Sequence, residues 1–218
     1  MRSAVVLLLA LVLAGCGGVR EHGTATLWVT RDRGSHVLFT GTVPAGLTAM
    51  QALERKRKVT TRYGGRFVQA IEGLQGSLTK RHDWFYFVNG IEGDRSAAEV
   101  RLHDGDVEWW DFRAWSGSSM SVPVVVGAYP EPFTRGTTSV VAVGAGAGVA
   151  RAIAGQVHGV VRATKPTKNF IVISSRFKPG VARIKRFRRG VLLELGVVAA
   201  RRLAHDRTVL RYRYGDAQ

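Results

Sequence analysis

The sequence of 218 residues contains one cysteine, Cys16, and this excludes a disulfide within the chain. A long hydrophobic run is missing as well, because the unbroken apolar stretch at residues 4–13 is about half the length of a membrane-spanning helix. Neither the Gly-x-Ser-x-Gly motif of serine hydrolases nor the Gly-Lys-Ser/Thr ending of a P-loop occurs. These absences argue against two common classes of enzyme.

Acidic residues are scarce, above all in the second half of the chain. The sequence has 32 Lys and Arg against 16 Asp and Glu, which gives a net charge of +16. Residues 121–218 contain four acids, namely Glu131, Glu194, Asp206 and Asp216. No second acid is an evident partner for Glu131, so a hydrolase with paired carboxylates is disfavoured. The six histidines are scattered without metal-site spacing. We therefore predict a protein that is not an enzyme and has no metal or cofactor.

The N-terminus has the pattern of an export signal. One early cation, Arg2, precedes the apolar run, and the small residues Ala14 and Gly15 precede Cys16. The ending Leu-Ala-Gly-Cys resembles the lipobox of bacterial lipoproteins, in which the Cys is acylated and becomes the first mature residue. The resemblance implies a signal peptide at residues 1–15, a lipidated Cys16, a tether at 16–23 and an extracytoplasmic protein anchored to the cell membrane. The alternative is an ordinary signal peptide with a chance cysteine. Export argues against nucleic acid as a partner.

Residues 24–117 have the pattern of a small β-rich domain. Thr48 and Gln51 form a capping box at the start of a short helix. Strands are indicated by alternating or apolar residues at 24–30, 37–43, 67–71, 84–88 and 107–112. Asn89-Gly90 tolerates the positive φ angles of a type I′ turn and closes the first aromatic strand. The order β-β-α-β-β-β predicts a β-grasp-like fold, and a second small α+β domain follows it.

The same stretch resembles the transcobalamin-like C-terminal domain, the small domain of cobalamin carriers that also recurs in bacterial surface proteins. The matching motifs are Phe-Val-Gln-Ala-Ile-Glu-Gly at 67–73, Trp-x-Tyr-x-Val-Asn-Gly at 84–90 and Leu-x-Asp-Gly-Asp-x-x-Trp at 102–109. The resemblance implies the fold and a recognition role outside the cytoplasm. It also makes a corrinoid one candidate ligand.

Aromatic residues of two strands are the candidate ligand-binding residues, together with the turn asparagine: Trp84, Tyr86, Asn89, Trp109 and Trp110. Trp84 and Tyr86 share one face of their strand, whereas Trp109 and Trp110 point to opposite faces. One short helix cannot cover both faces of a sheet. The remaining aromatic surface therefore either contacts the second domain or binds a ligand or partner.

Residues 121–218 form a basic α+β domain of no family that we recognise. Strands are predicted at 122–126, 139–143, 170–173, 191–195 and 208–214, with a helix through Val161. The glycine-rich stretch 144–148 is not a dinucleotide fingerprint, because Val149 stands where the third glycine belongs. A basic run is either a solvated loop or a contact for anionic lipid or polymer; it contains Arg183, Lys185, Arg186, Arg188 and Arg189.

The sequence thus predicts an exported, lipid-anchored binding protein that recognises a small vitamin-like ligand for uptake, with a transporter or an envelope polymer as a further partner. The alternative is a cell-surface interaction or envelope-binding module without a small-molecule ligand.

Overall fold

The structure, a computed structural model, describes residues 22–144, 146–162, 167–187 and 190–215. The elements of the first half are β1 (Thr24–Arg31), β2 (His36–Pro44), α1 (Ala49–Lys56), β3 (Val59–Arg62), β4 (Phe67–Ile71), β5 (Leu74–Gln75), β6 (His82–Val88), β7 (Ile91–Glu92) and β8 (Val107–Ala114). The elements of the second half are a 3-10 turn (Val126–Ala128), β9 (Thr138–Val143), α2 (Ala147–Gln156), β10 (Val160–Val161), β11 (Asn169–Ser174), β12 (Ala182–Phe187), β13 (Gly190–Leu195) and α3 (Val197–His205). The described residues form mostly β-strands together with three α-helices, which confirms the predicted α+β class.

The first half is built on a mixed five-stranded sheet in the order β2-β1-β8-β6-β7. β1 and β8 lie parallel in its centre, and the other pairs are antiparallel. α1 packs on one face, where Leu27, Leu53 and Trp110 belong to one buried cluster. The small sheet β3-β4-β5 contributes Val68 and Ile71 to the same cluster. A helix against a mixed sheet is the β-grasp-like arrangement predicted from the sequence.

Two local predictions of the first half are confirmed. The backbone N–H of Gln51 donates to Thr48 Oγ1 at 3.2 Å, and the N–H of Thr48 donates to Gln51 Oε1 at 2.9 Å. These are the two bonds of a capping box. Asn89 and Gly90 have φ angles of 53° and 74°, as a type I′ turn requires, and the chain returns as β7.

The second half is built on a five-stranded sheet in the order β10-β9-β11-β13-β12, which is parallel except for β12. The predicted β-α-β unit is present as β9, α2 and β11. The helix is shorter than predicted, because α2 ends at Gln156 and Val160–Val161 form β10 beside β9. His158 between them has a φ angle of 51°, which lies outside the helical region and ends the helical course.

Two predicted strands of the second half are wrong. Residues 122–125 form a single bridge, between Val124 and Ile91, because Pro123 has no N–H to donate to a strand ladder, and Val126 begins the 3-10 turn. Residues 208–212 form turns and 213–214 are irregular; the turns begin where the Asp206 carboxylate accepts bonds from the N–H and hydroxyl of Thr208. The sequence reading also missed α3, β3, β5 and β12.

The face of the first sheet that does not carry α1 is covered by the second half of the chain. Trp28, Phe87 and Trp109 form a buried cluster with Val125, Ala128 and Tyr214. Contact with the second half therefore accounts for this aromatic face, which was one of the two alternatives. The domain limits 24–117 and 121–218, with a boundary near residue 118, stay a prediction.

Candidate ligand-binding site

The candidate site lies at an open edge of β6. β7 is two residues long and pairs with Phe87 and Val88, so within the described residues the earlier part of β6 has no neighbouring strand on that side. The gap is bounded at one end by the bond from Gly93 N–H to the carbonyl of Tyr86, at 2.9 Å. At its other end Ser77 and His82 form an isolated bridge. An edge interrupted in this way leaves backbone and side chains of β6 available to a ligand.

A cavity of about 540 Å³ opens at this edge. Its aromatic lining consists of Phe67, Trp84, Phe85, Tyr86, Trp110 and Trp115. Trp84 and Trp110 are almost fully buried, whereas Phe67, at the rim, is 39% exposed. The cavity volume lies in the range of roughly 300–1,000 Å³ that is typical of small-molecule sites.

The rings of the cavity wall are held in fixed positions by packing and by hydrogen bonds. Tyr86 stacks on Trp110 with ring centroids 5.0 Å apart, and its hydroxyl donates to the carbonyl of Arg95 at 2.5 Å. The indole Nε1 of Trp84 donates to the carbonyl of Leu74 at 2.9 Å. Because these polar atoms already have partners, the wall presents mainly apolar ring surface to the cavity.

Carboxyl groups bring charge to the rim of the cavity. Asp83, Glu92 and Asp94 line it together with Arg66 and Arg95. Burial raises the pKa of the Asp83 carboxyl, and the hydrogen bond from the backbone N–H of Trp84 partly opposes that rise. Burial and the nearby Asp94 carboxylate raise the pKa of the Tyr86 hydroxyl to about 12, so this hydroxyl is neutral at physiological pH.

One acid beneath the cavity is fully buried. Glu108 has no exposed surface, its Oε1 accepts a bond from Trp110 Nε1 at 2.5 Å, and its Oε2 has no hydrogen-bond partner in the described part of the chain. Burial raises the pKa of this carboxyl to about 8, so it is mostly protonated at neutral pH. A neutral acid therefore fixes the indole of Trp110, which itself lines the cavity.

The structure brings three of the predicted ligand-binding residues together. Trp84, Tyr86 and Trp110 line the cavity, whereas Trp109 lies on the opposite face with no exposed surface. Asn89 ties two turns together: its Nδ2 donates to Asp106 Oδ1 at 2.8 Å, and its Oδ1 accepts from the N–H of Val107 at 2.9 Å. A binding role for these residues stays a prediction. Cys16, the predicted lipidation site, lies outside the described residues.

Sequence reasoning did not assign three residues to the site: Phe67 at the start of β4, Trp115 directly after β8, and the buried acid Glu108. Phe67 and Trp115 carried no strand-face signal that would join them to Trp84, since they come from separate segments. Glu108 did carry a signal, because it has the same alternation as Trp110 and must point to the same face of β8. A charged residue at an inward position of a strand indicates either a functional group or a bonded core polar group.

The described residues include no group of three or more His, Cys, Asp or Glu residues that could hold a metal ion. In the same residues, no helix has the length and apolar character needed to span a membrane.

Comparison with known proteins yields one family match and weak structural resemblances. Residues 46–114, less than half of the chain, match the family described as "Domain of unknown function (DUF4430)". No curated protein matches the sequence.

Two solved structures resemble the chain in part. A crystal structure of haptocorrin in complex with Cbi aligns with a TM-score of 0.38 and 15% identity, over 45% of this chain and 27% of haptocorrin. A putative metal binding protein from Ruminococcus gnavus ATCC 29149 aligns with a TM-score of 0.34 and 14% identity, over 44% of this chain and 100% of that protein. The first alignment thus spans about a quarter of haptocorrin. TM-scores this low support no transfer of ligand or function to this chain.

Proposed function

We propose that the chain is an exported, lipid-anchored binding protein without enzymatic activity, which holds a small organic ligand for uptake. The observation that carries this proposal is the aromatic cavity of about 540 Å³ at the open edge of β6. Fixed rings around a partly enclosed space give a ligand a large apolar contact at little cost in side-chain entropy.

The lining indicates the kind of ligand. Ring surface from Tyr86 and Phe67 suits a flat, apolar part of a molecule, and the carboxyl groups of Asp83 and Glu92 suit its hydrogen-bond donors. Vitamin-like molecules combine such a flat part with polar edges. A corrinoid is one candidate, and because it is larger than the cavity, it would be held by one edge with the rest of the molecule outside.

The location is proposed from the N-terminal sequence. The apolar run followed by Leu13-Ala14-Gly15-Cys16 supports export and acylation at Cys16. Two or more acyl chains would anchor the protein stably, since each buried methylene contributes about 0.8 kcal/mol. A binding protein held at the outer face of a membrane can deliver its ligand to a transporter in the same membrane.

The experiment is to purify the full chain from its native membrane in mild detergent and to identify what is bound. Native mass spectrometry measures the mass of any bound small molecule, and the visible spectrum reports a corrinoid because corrinoids are coloured. We expect one small organic molecule at close to one copy per chain. A chain that carries no small molecule, but that copurifies with an envelope polymer or another protein, would contradict the proposal and favour a surface-interaction module.

A further inference from the structure

Another cavity lies between the two halves of the chain and shares Ser121 with the aromatic cavity. It has a volume of about 540 Å³ and is lined by the β1–β2 turn, the segment 118–124 and β12. Three cationic side chains line it, Arg33, Lys185 and Arg186, and none of the described residues in its lining is acidic. Such a lining differs from that of the aromatic cavity, where carboxyl groups and rings predominate.

The positive charge in this cavity is only partly neutralised. Lys185 Nζ lies 2.8 Å from Glu194 Oε1, and the same carboxylate also pairs with Arg183 at 3.5 Å. Arg33 and Arg186 form no ion pair with a side chain of the described residues. The charges of Arg33 and Arg186 are therefore not neutralised by a carboxylate of these residues, although the Arg33 guanidinium also lies 5.5 Å from the centroid of the Tyr214 ring.

The guanidinium of Arg33 supplies a second observation. Its Nη1 atom is enclosed and has no hydrogen-bond partner within the described part of the chain. A buried donor of this kind costs free energy unless an acceptor reaches it. Burial is the main cause that lowers the pKa of Arg113; the charge of Arg33 adds to this effect, whereas Glu92 and Asp111 oppose it.

The remaining lining is suited to a ligand with two parts. Ser118 and Ser119 bring hydroxyl groups that already interact with Ser116 Oγ at 3.3 and 3.0 Å and that can also bond an anion. Ser121 Oγ donates to Glu92 Oε2 at 2.6 Å and is therefore already bonded. Val122, Pro123 and Ile184 form an apolar wall.

We propose that this cavity binds a phosphate group that is attached to an organic moiety. The guanidinium groups of Arg33 and Arg186 would bond the phosphate oxygens, for which their planar donors are well suited. The apolar wall would contact the organic part, because the cavity is larger than a phosphate ion alone. A soluble organic phosphate and a phospholipid headgroup share this chemistry, and the experiment distinguishes them.

The experiment uses the purified full chain and two soluble probes, inorganic phosphate and phenyl phosphate, in isothermal titration calorimetry. Arg186→Gln removes one of the two guanidinium groups that line the cavity from an exposed position, so the fold should be unaffected. Arg151→Gln is the matched control, since Arg151 is an exposed arginine on α2 that does not line this cavity. We expect Arg186→Gln to weaken binding by about tenfold, because a charge-assisted bond is lost, and Arg151→Gln to leave it unchanged.

A second arm tests the lipid headgroup. Flotation on phosphatidylcholine vesicles with and without phosphatidylglycerol measures the contribution of the anionic headgroup, and any lipid anchor contributes equally to all variants. The lipid headgroup is supported as the source of the phosphate if phosphatidylglycerol increases vesicle binding and Arg186→Gln alone abolishes this increase. In that case the soluble probes should not bind. A soluble organic phosphate is supported as the ligand if the soluble probes bind and Arg186→Gln alone weakens their binding.

The proposal is overturned if neither arm shows binding, or if Arg186→Gln and Arg151→Gln behave alike in both. Phe67→Ala alters the aromatic cavity, and Phe67 does not line the cationic one, so this substitution should leave phosphate binding unchanged. The outcome is therefore independent of the function proposed for the aromatic cavity.

Discussion

The hydroxyl of Tyr214 donates a hydrogen bond to Asp111 Oδ2 at 2.7 Å, in the buried contact between the C-terminal segment and β8. The same carboxylate accepts bonds from the hydroxyl of Thr30 at 2.5 Å and from the backbone N–H of Gly34 at 3.1 Å. Burial nevertheless raises the pKa of Asp111 above its ordinary value, and these hydrogen bonds oppose the rise. The last described residues of the chain therefore complete a polar network in the first sheet.

This network predicts that Tyr214→Phe lowers the free energy of unfolding by about 1–3 kcal/mol, because a buried carboxyl loses one of its donors. Tyr212→Phe is the matched control, since its ring packs against Trp28 while its hydroxyl forms no hydrogen bond to a side chain of the described residues. Urea unfolding of both variants measures the difference. Equal stability of the two variants would show that the Tyr214 hydroxyl contributes nothing to the fold.

The buried carboxyl of Glu108 should make the free energy of unfolding depend on pH. Its carboxyl has a pKa of about 8 in the folded chain, against an ordinary value of 4.5, because it is buried. Between these values the folded state holds a proton that the unfolded chain releases, so the free energy of unfolding falls as the pH rises through this window. Above pH 8 the loss should be on the order of a few kcal/mol.

Glu108→Gln should abolish this dependence, since the amide can still accept the bond from Trp110 and cannot ionise. We expect the variant to match the original chain near pH 4.5 and to exceed its stability near pH 8, as measured by urea unfolding at each pH. Glu54→Gln, at an exposed position of α1, is the control and should leave the pH dependence unaltered. A variant with the same pH slope as the original chain would show that Glu108 is already ionised when folded.

The lipid anchor predicts the behaviour of Cys16→Ala. Without the thiol no acyl chain can be attached, so the protein should leave the membrane fraction or remain unprocessed. Partitioning into detergent and the mass of the mature N-terminus measure both properties. His22→Ala, in the predicted tether, should behave like the original chain. Unchanged processing and partitioning of Cys16→Ala would refute the anchor.

Local chemistry made part of the fold predictable. The turn at Asn89-Gly90 and the capping box of Thr48 depend on near neighbours in the sequence, and both are present. Alternation along β8 placed Trp109 and Trp110 on opposite faces, and the two residues belong to different buried clusters. Predictions of this kind succeed because the residues that decide them are only a few positions apart.

Other parts of the fold could not be predicted from the sequence, because they depend on long-range contacts. Tyr212 and Tyr214 alternate with arginines as a strand would, yet the rings pack against Trp28 and Phe87 of the first sheet. The backbone follows that surface closely: a side chain at Gly34 would collide with the carbonyl of Tyr212. The cavity was only partly predictable for the same reason, because Phe67 and Trp115 reach it from segments whose positions depend on tertiary packing.

The most direct test of the proposed function compares two exposed apolar side chains. Phe67 lines the aromatic cavity and is 39% exposed, whereas Leu38 on β2 is 48% exposed and does not line it. Native mass spectrometry of the purified full chain measures how much small-molecule ligand each alanine variant retains. We predict that Phe67→Ala lowers ligand affinity by about tenfold, through loss of apolar contact, with a melting temperature close to that of Leu38→Ala, which keeps its ligand. Equal ligand occupancy in the two variants would contradict a binding role for this cavity.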